Sequence, residues 1–425
     1  MKFFSTNRKS PSVSFKDGVI KSLPVDNGLY YPETIPDIRS YYGTTAPSLP
    51  ELGYEVMAPF AKMDIPTGRL HEIVEGTLSF DIPLVPVSDR IQVLELFHGP
   101  TYAFKDVGAR FLARCLGYFN EQSDQEVTIL VATSGDTGGA VASGFYQVEG
   151  VEVVILYPSG KVSDLQEKQL TTLGHNITAY EIDGNFDDCQ ALVKKAFLDK
   201  ELNKKLRLSS ANSINIARWI PQSIYYGWAH LQAAKPQPSV FAVPSGNYGN
   251  LAAGMLAKKM GAPLGRFIAS SNANDVVPRY LASASYDPTP TIATYSNAMD
   301  VGKPSNFPRM LELYDQDHGA MIKDVQGFSL GDEETLQAME DGLGQDDYLL
   351  DPHGAIGYAA LATLLAEGEH GVFLETAHPC KFADVIRKIK SDYELPDFTQ
   401  DLMEKRKQAT AIEANYDVFK ELLLK

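Results

Sequence analysis

Along this chain, short runs of Val, Ile, Leu and Phe alternate with stretches whose apolar residues recur at helical spacing. The clearest cases are "EVTILVATSGDTGGAVASGFYQ", "VEVVILYPSGKVSDLQEKQLTTLG", "ITAYEIDGNFDDCQALVKKAFLD", "SVFAVPSGNYGNLAAGMLAKKMG" and "HGVFLETAHPCKFADVIRKIK". In each, an apolar run of strand length leads through a polar or glycine turn into a helix-period segment. Strands apolar on both faces, alternating with helices, predict parallel sheets covered by helices on both sides. Such sheets bind ligands beyond the carboxyl ends of their strands. Strands are expected at 127–132 and 240–243, and a helix from Lys105 with Val107, Phe111 and Leu112 facing a core.

The first ninety residues read differently. Short helical patterns, prolines at Pro32, Pro36, Pro47 and Pro50, and the turn "GLYYPETIP" predict an extension that packs on something larger. Pro236 and Pro238 suggest a surface turn. The final "QDLMEKRKQATAIEANYDVFKELLLK" reads as a helical, charge-interleaved tail with a structural role.

Charge and composition narrow the partners. The formal charge of -16 weighs against nucleic acid or an anionic membrane as partner, because a phosphate surface needs a basic face. The start lacks a signal-peptide core, and no apolar run is long enough to span a bilayer. Cys115, Cys189 and Cys380 show neither ligand nor disulfide spacing. A soluble protein of the reducing cytoplasm is the expectation.

Candidate chemistry gathers at turns. In "LFHGPTYAFKDVGARFLA", Lys105 stands between Phe104 and Asp106 at a helix start. It is either half of a solvated ion pair or an amine in a pocket, serving as nucleophile or Schiff-base lysine. Two turns, "TSGDTGGA" (133–140) and "PSGNYGNLAAG" (244–254), place small and hydroxyl residues between a strand and a helix start. Unpaired amides and the helix dipole favour an anion there. Neither turn has dinucleotide or Walker spacing. Two anionic groups and a reactive amine suit pyridoxal phosphate with an amino-acid substrate. "SSANSINIARWIPQSIYYGWAHL" (209–231) sets Asn215 and Arg218 at the head of an amphipathic segment. Its Asn, Ser and Arg residues suit either helix capping or a phosphate ester.

With these residues in view, the chain resembles the threonine synthase family in its longer bacterial and fungal form. The resemblance runs over nearly the whole chain: "SFKDGVIKSLPVDNGLYYPETIP", "LFHGPTYAFKDVGARFLA", "VATSGDTGGA", "SSANSINIARWIPQ", "VPSGNYGNLAAG", "SNANDVVPRYL", "SNAMDVGKPSNFPRMLEL" and "ETAHPCKF". It implies the tryptophan-synthase β-chain-like fold of type II pyridoxal-phosphate enzymes. That fold has two open, twisted, mostly parallel sheets with the cofactor between them. Residues 1–90 would be the extension, packed on the large domain. Residues 91–210 would form mainly the smaller domain, with Lys105 at the interface, and 211–425 mainly the larger.

The resemblance further implies that Lys105 carries pyridoxal 5'-phosphate as a Schiff base. Gly246, Asn247, Tyr248, Gly249 and Asn250 would bind its phosphate, and Thr376 would face its ring nitrogen. Ser134 and Thr137 would hold the substrate carboxylate, and Asn212, Ser213 and Arg218 the substrate phosphate, with Lys161 as a further contact. Asp136 stands beside the ring oxygen, where many relatives of this fold have Asn. His378 is expected to support rather than react, with His98 and His353 unassigned and no metal expected. The asparagine- and proline-rich stretches near 272 and 297 would shape the pocket wall. The implied reaction turns O-phospho-L-homoserine and water into L-threonine and phosphate, on a monomer. A serine or threonine dehydratase, a β-replacement enzyme and a non-catalytic ligand sensor are the alternatives.

Overall fold

The computed structural model describes residues 1–43, 47–121, 125–233 and 239–425, so the turn expected at Pro236 and Pro238 lies outside the described residues. Two sheets form the body. One has five parallel strands in the order Thr410–Glu413, Ile177–Asp183, Val151–Pro158, Val127–Ala132, Arg207–Ser210. The other has six, in the order Val325–Ser329, Phe267–Ser271, Val240–Pro244, Gly371–Glu375, Ile91–Glu95, Leu84–Pro86. Leu84–Pro86 runs antiparallel to its neighbour and the other pairs are parallel. Val127–Ala132, Val240–Pro244 and Gly371–Glu375 are buried at every position, as strands covered on both faces must be.

The strand orders place the site. From Val127–Ala132 the chain crosses to Val151–Pro158 on one side, while Arg207–Ser210 lies on the other. From Val240–Pro244 it crosses to Phe267–Ser271, while Gly371–Glu375 lies on the other side. At each reversal the loops diverge and leave a crevice beyond the strand ends. Those loops begin at Thr133, Ala211, Ser245 and Thr376.

The N-terminal part is stitched into this body. Its antiparallel strands Val13–Ser14, Lys2–Ser5 and Tyr30–Pro32 carry helices Phe15–Lys21, Leu49–Ala61 and Thr67–Thr77. One buried cluster runs from Phe3, Phe15 and Phe60 through Phe111 to Ile129 and Phe241. Ser22 Oγ donates to Ser210 O at 2.8 Å, and Asn215 Nδ2 donates to Val19 O at 2.9 Å. The extension thereby braces the loop that follows Arg207–Ser210.

Two expectations from the sequence are corrected. The tail is not helical throughout: Thr410–Glu413 pairs with Tyr180–Asp183 between helices Gln400–Glu404 and Tyr416–Leu423. A free sheet edge selects that strand, and local pattern does not encode the edge. Segment 209–231 is not amphipathic. Its helix Ile216–Trp219, 3-10 turn Ile220–Ser223 and helix Ile224–Gln232 are buried nearly all round, packed on helices Lys105–Asn120, Gly249–Lys259 and Leu49–Ala61. Sheet membership does not follow chain order strictly. Ile91–Glu95 lies in the six-stranded sheet and Thr410–Glu413 in the five-stranded one. Among the described residues, no helix is long and apolar enough to cross a membrane.

Candidate active site

Lys105 opens the helix Lys105–Asn120 and does not pair with its neighbour Asp106. The Asp106 carboxylate instead accepts from Thr101 N at 2.8 Å and Thr101 Oγ1 at 2.6 Å. Phe104 is clamped from both sides. Its N–H donates to Thr376 O at 2.8 Å, and its carbonyl accepts from the Tyr225 hydroxyl at 2.6 Å. The Lys105 side chain, 16% exposed, lines a cavity of about 230 Å³ between the two sheets. Burial pushes its amine below the ordinary lysine range. Asp136 Oδ2, 3.6 Å away, works against that shift, while Lys381 and Arg218 work with it.

The first turn is organised by polar contacts. Thr133 Oγ1 accepts from the N–H groups of Gly135 and Gly138, at 3.0 and 2.9 Å. Asp136 starts the helix Asp136–Phe145, and its Oδ1 accepts from Lys381 Nζ at 2.8 Å and Gln166 Nε2 at 2.9 Å. Burial works to raise the Asp136 carboxyl, but Lys381 and Lys105 prevail and hold it below the usual carboxylate range. Ser134 and Thr137 line the same cavity.

The second turn is organised by contact. A Cβ at Gly246 would lie 2.6 Å from Met299 Cα, and one at Gly249 would lie 3.3 Å from Asn306 Nδ2. Tyr248 takes a left-handed φ of 59°, and its hydroxyl bonds to Ser271 Oγ. Asn247 Oδ1 accepts from Ser305 N and Oγ at 3.0 and 2.9 Å, which ties the turn to the segment after Val301. Asn250 Oδ1 accepts from the Tyr226 hydroxyl at 2.8 Å, and its buried Nδ2 has no acceptor.

The remaining predicted residues divide. Asn212, Ser213, Arg218 and Thr376 line the cavity. Arg218 is buried, its Nη1 donates to Ala211 O, and its Nε has no acceptor. Burial lowers its guanidinium to about 10. Lys161 stands apart: it is exposed and lines a separate hollow with Arg387 and Met403. Asn297 lies on the wall of both. His98 is also outside, bonded to Glu95 at 2.6 Å. His378 caps the turn Pro379–Phe382 through Nδ1, and burial lowers its imidazole to about 4.

Several contributors escaped the sequence reading. His353 lines the cavity, where Nδ1 donates to Asp351 Oδ1 at 2.6 Å and Nε2 accepts from Ala298 N at 3.2 Å. The residues on either side of that ring assign its neutral tautomer. Arg309, wholly buried, donates to Ser213 O at 3.1 Å and Ile214 O at 2.6 Å, fixing the loop that presents Ser213. Lys381 is wholly buried beside Asp136. Lys381 lies within "ETAHPCKF" and Arg309 within "SNAMDVGKPSNFPRMLEL", where no local signal sets them apart, and His353 lies in neither stretch. A roomier surface hollow of about 680 Å³, among Arg69, Glu72, Arg114 and Glu121, has no such convergence of strand ends.

Comparison with known proteins places this arrangement in a class. Residues 89–374 match the family model of pyridoxal-phosphate dependent enzymes, residues 2–78 that of the threonine synthase N terminus, and residues 354–423 that of the threonine synthase C-terminal region. The threonine synthase of Haemophilus influenzae is 45% identical over 394 residues, covering 92% of this chain and 91% of that protein. The crystal structure of threonine synthase from Escherichia coli superposes with a TM-score of 0.91 at 41% identity, covering 100% of this chain and 99% of that one. The pyridoxal-phosphate-bound threonine synthase of Brucella melitensis gives 0.93 at 35% identity, covering 100% and 98%. The chain belongs to the threonine synthase family, within the fold-type II pyridoxal-phosphate enzymes.

Proposed function

We propose that this chain converts O-phospho-L-homoserine and water into L-threonine and phosphate, by γ-elimination followed by addition of water at the β-carbon. One observation carries the reading: a largely buried lysine stands where two glycine turns, each between a strand and a helix start and each from a different sheet, converge. The residues suit pyridoxal phosphate. The backbone of Gly246 has no room for a side chain and that of Gly249 little, the helix Gly249–Lys259 starts there, and the buried Asn250 Nδ2 has no acceptor.

When bound, pyridoxal phosphate supplies a carbonyl for Lys105 and an electron-accepting ring. Gly246, Asn247, Tyr248, Gly249 and Asn250 would hold its phosphate, and Thr376 would offer a neutral hydroxyl to its ring nitrogen. Ser134, Thr137 and the amides opening Asp136–Phe145 hold the substrate carboxylate. Arg218, with its free Nε, grips the substrate phosphate together with Asn212 and Ser213. Lys105 Nζ, made less basic by burial, removes the α-proton and returns a proton later. The surrounding loops exclude stray water during these transfers.

In this reading 91–210 mainly supplies the carboxylate contacts and 211–425 mainly the cofactor contacts, with 1–90 as a brace. The working unit is read as the monomer, as the family resemblance implies. The net charge speaks against nucleic acid and anionic membrane, and three buried free cysteines suit the cytoplasm.

The test follows phosphate and amino-acid product together from O-phospho-L-homoserine, with Lys105→Ala alongside. Equal phosphate and threonine, lost by about 10³-fold or more in the variant, is the expected result. Phosphate with 2-oxobutyrate would mean elimination without hydration. No phosphate would overturn the reading.

A further inference from the structure

Lys381 has no part in the reaction as set out above, yet it is among the most completely enclosed charges in the protein. Its side chain is 0% exposed, and three acceptors meet its three N–H donors. They are Asp136 Oδ1 at 2.8 Å, Thr101 O at 2.8 Å and Gln169 Oε1 at 3.0 Å. Lys381 comes from the turn after Gly371–Glu375 in the six-stranded sheet, whereas Asp136 and Gln169 lie on helices that cover the five-stranded one. A buried ion pair adds little stability over apolar residues of the same volume. The charge therefore calls for another use.

We propose that Lys381 is a positioning residue for the reaction: its buried ammonium neutralises Asp136 and so leaves Lys105 free to work as an uncharged amine. Two cations share one carboxylate, and they share it unequally. Lys381 and Gln166 occupy Oδ1 at hydrogen-bond distance, while Lys105 stands 3.6 Å from Oδ2. Without Lys381, Lys105 would become the sole cation for Asp136 and would be held as an ammonium. An ammonium is neither nucleophile nor base.

The other groups around Lys105 do not replace this pairing. Arg218 from Ile216–Trp219 adds positive charge, Asp106 on its own helix is committed to Thr101, and the Tyr225 hydroxyl donates to Phe104 O. Tyr248, Asp300 and His353 line the cavity elsewhere, His353 neutral between Asp351 and Ala298. Among the described residues, Asp136 is the carboxylate within ion-pair distance of Lys105.

This inference rests on Lys105 being the Schiff-base lysine, and one experiment separates the two. The full chain, stripped of cofactor, is mixed with pyridoxal phosphate, and the rate at which imine absorbance grows is recorded from about pH 6 to 10. The midpoint of that profile reports when Lys105 loses its proton. Lys381→Met is expected to raise the midpoint by about 1 unit or more, a tenfold slower reaction at fixed pH below it. Asp136→Asn, which leaves Lys381 uncompensated beside Lys105, is expected to lower it. The double variant is expected to return toward the wild-type midpoint. An unchanged midpoint in Lys381→Met, or an upward shift in Asp136→Asn, overturns the proposal. Should Lys381→Met fail to fold, the direction of the Asp136→Asn shift decides alone. A wild-type chain that forms no imine, or an imine that survives Lys105→Ala, overturns the Lys105 reading instead.

Discussion

The turn at 133–137 and the turn at 245–250 both follow wholly buried strands and both lead into helices, yet they are held in different ways. The first depends on directed polar bonds: Thr133 to two glycine amides, and Gln166 and Lys381 to Asp136. The second depends on closeness, with Gly246 against Met299 and Gly249 against Asn306 and Ser213. A backbone cradle with no room for side chains suits a group that stays bound through every turnover. A charge-balanced network suits the end of the site where protons move. The same local grammar, strand then glycine turn then helix, thus serves two chemical duties according to what packs behind it.

Gly246→Ala attacks the second turn where it has no slack. The new Cβ would meet the Met299 backbone at 2.6 Å, and backbone cannot swing aside. Overpacking of this kind costs about 1–3 kcal/mol, and the displaced turn would lose most of its affinity for the cofactor. Thermal melting with and without pyridoxal phosphate checks both. A fully loaded, wild-type-like variant would break the contrast between the turns. Arg218→Ala comes next. Its loss removes charge-assisted bonds of about 1.5–3 kcal/mol, so KM for the phosphorylated substrate should rise about 10- to 100-fold. Cofactor binding should be retained, since Arg218 belongs to neither turn.

Acid and base should act on the two ends with opposite sign. Asp300, beside the Met299 that closes on Gly246, is raised by burial from 3.8 to about 6. Its contribution to stability is complete below its unfolded value and is lost as pH rises through about 6. Asp136 is lowered, so its contribution is present above 3.8 and is lost as pH falls through its folded value. Asp300→Asn should therefore flatten the stability profile between about pH 4 and 6 in denaturant titrations. An undiminished slope there would remove Asp300 from the account.

Much of this is legible in the sequence. Alternation of apolar runs with helix-period segments places strands at 127–132 and 240–243, against Val127–Ala132 and Val240–Pro244 in the structure, and with them both turns, because buried parallel strands write themselves as unbroken apolar runs. Lys105 was legible as a question, since a solvated pair with Asp106 was equally good chemistry until Thr101 claimed that carboxylate. Lys381, Arg309 and His353 were not legible. Each is a polar residue whose meaning comes from burial, and burial depends on which distant segments close over it. The strand Thr410–Glu413 was hidden for a related reason: its partner, Ile177–Asp183, lies more than two hundred residues away.

Lys161 is where local grammar and tertiary placement disagree most. It follows a buried strand, Val151–Pro158, in a glycine turn much like the other two, and the resemblance implies it as a further contact to the substrate phosphate. That strand, however, is one step removed from the reversal of strand order, so its loop opens beside the crevice rather than into it. Exposed and walled off by Asn297, Lys161 should tolerate Ala with less than about a twofold change in KM and no loss of stability beyond about 0.5 kcal/mol. A tenfold rise in KM would mean that the two hollows join when substrate is bound. The charged first turn would then extend one strand further along its sheet than the second turn does along its own.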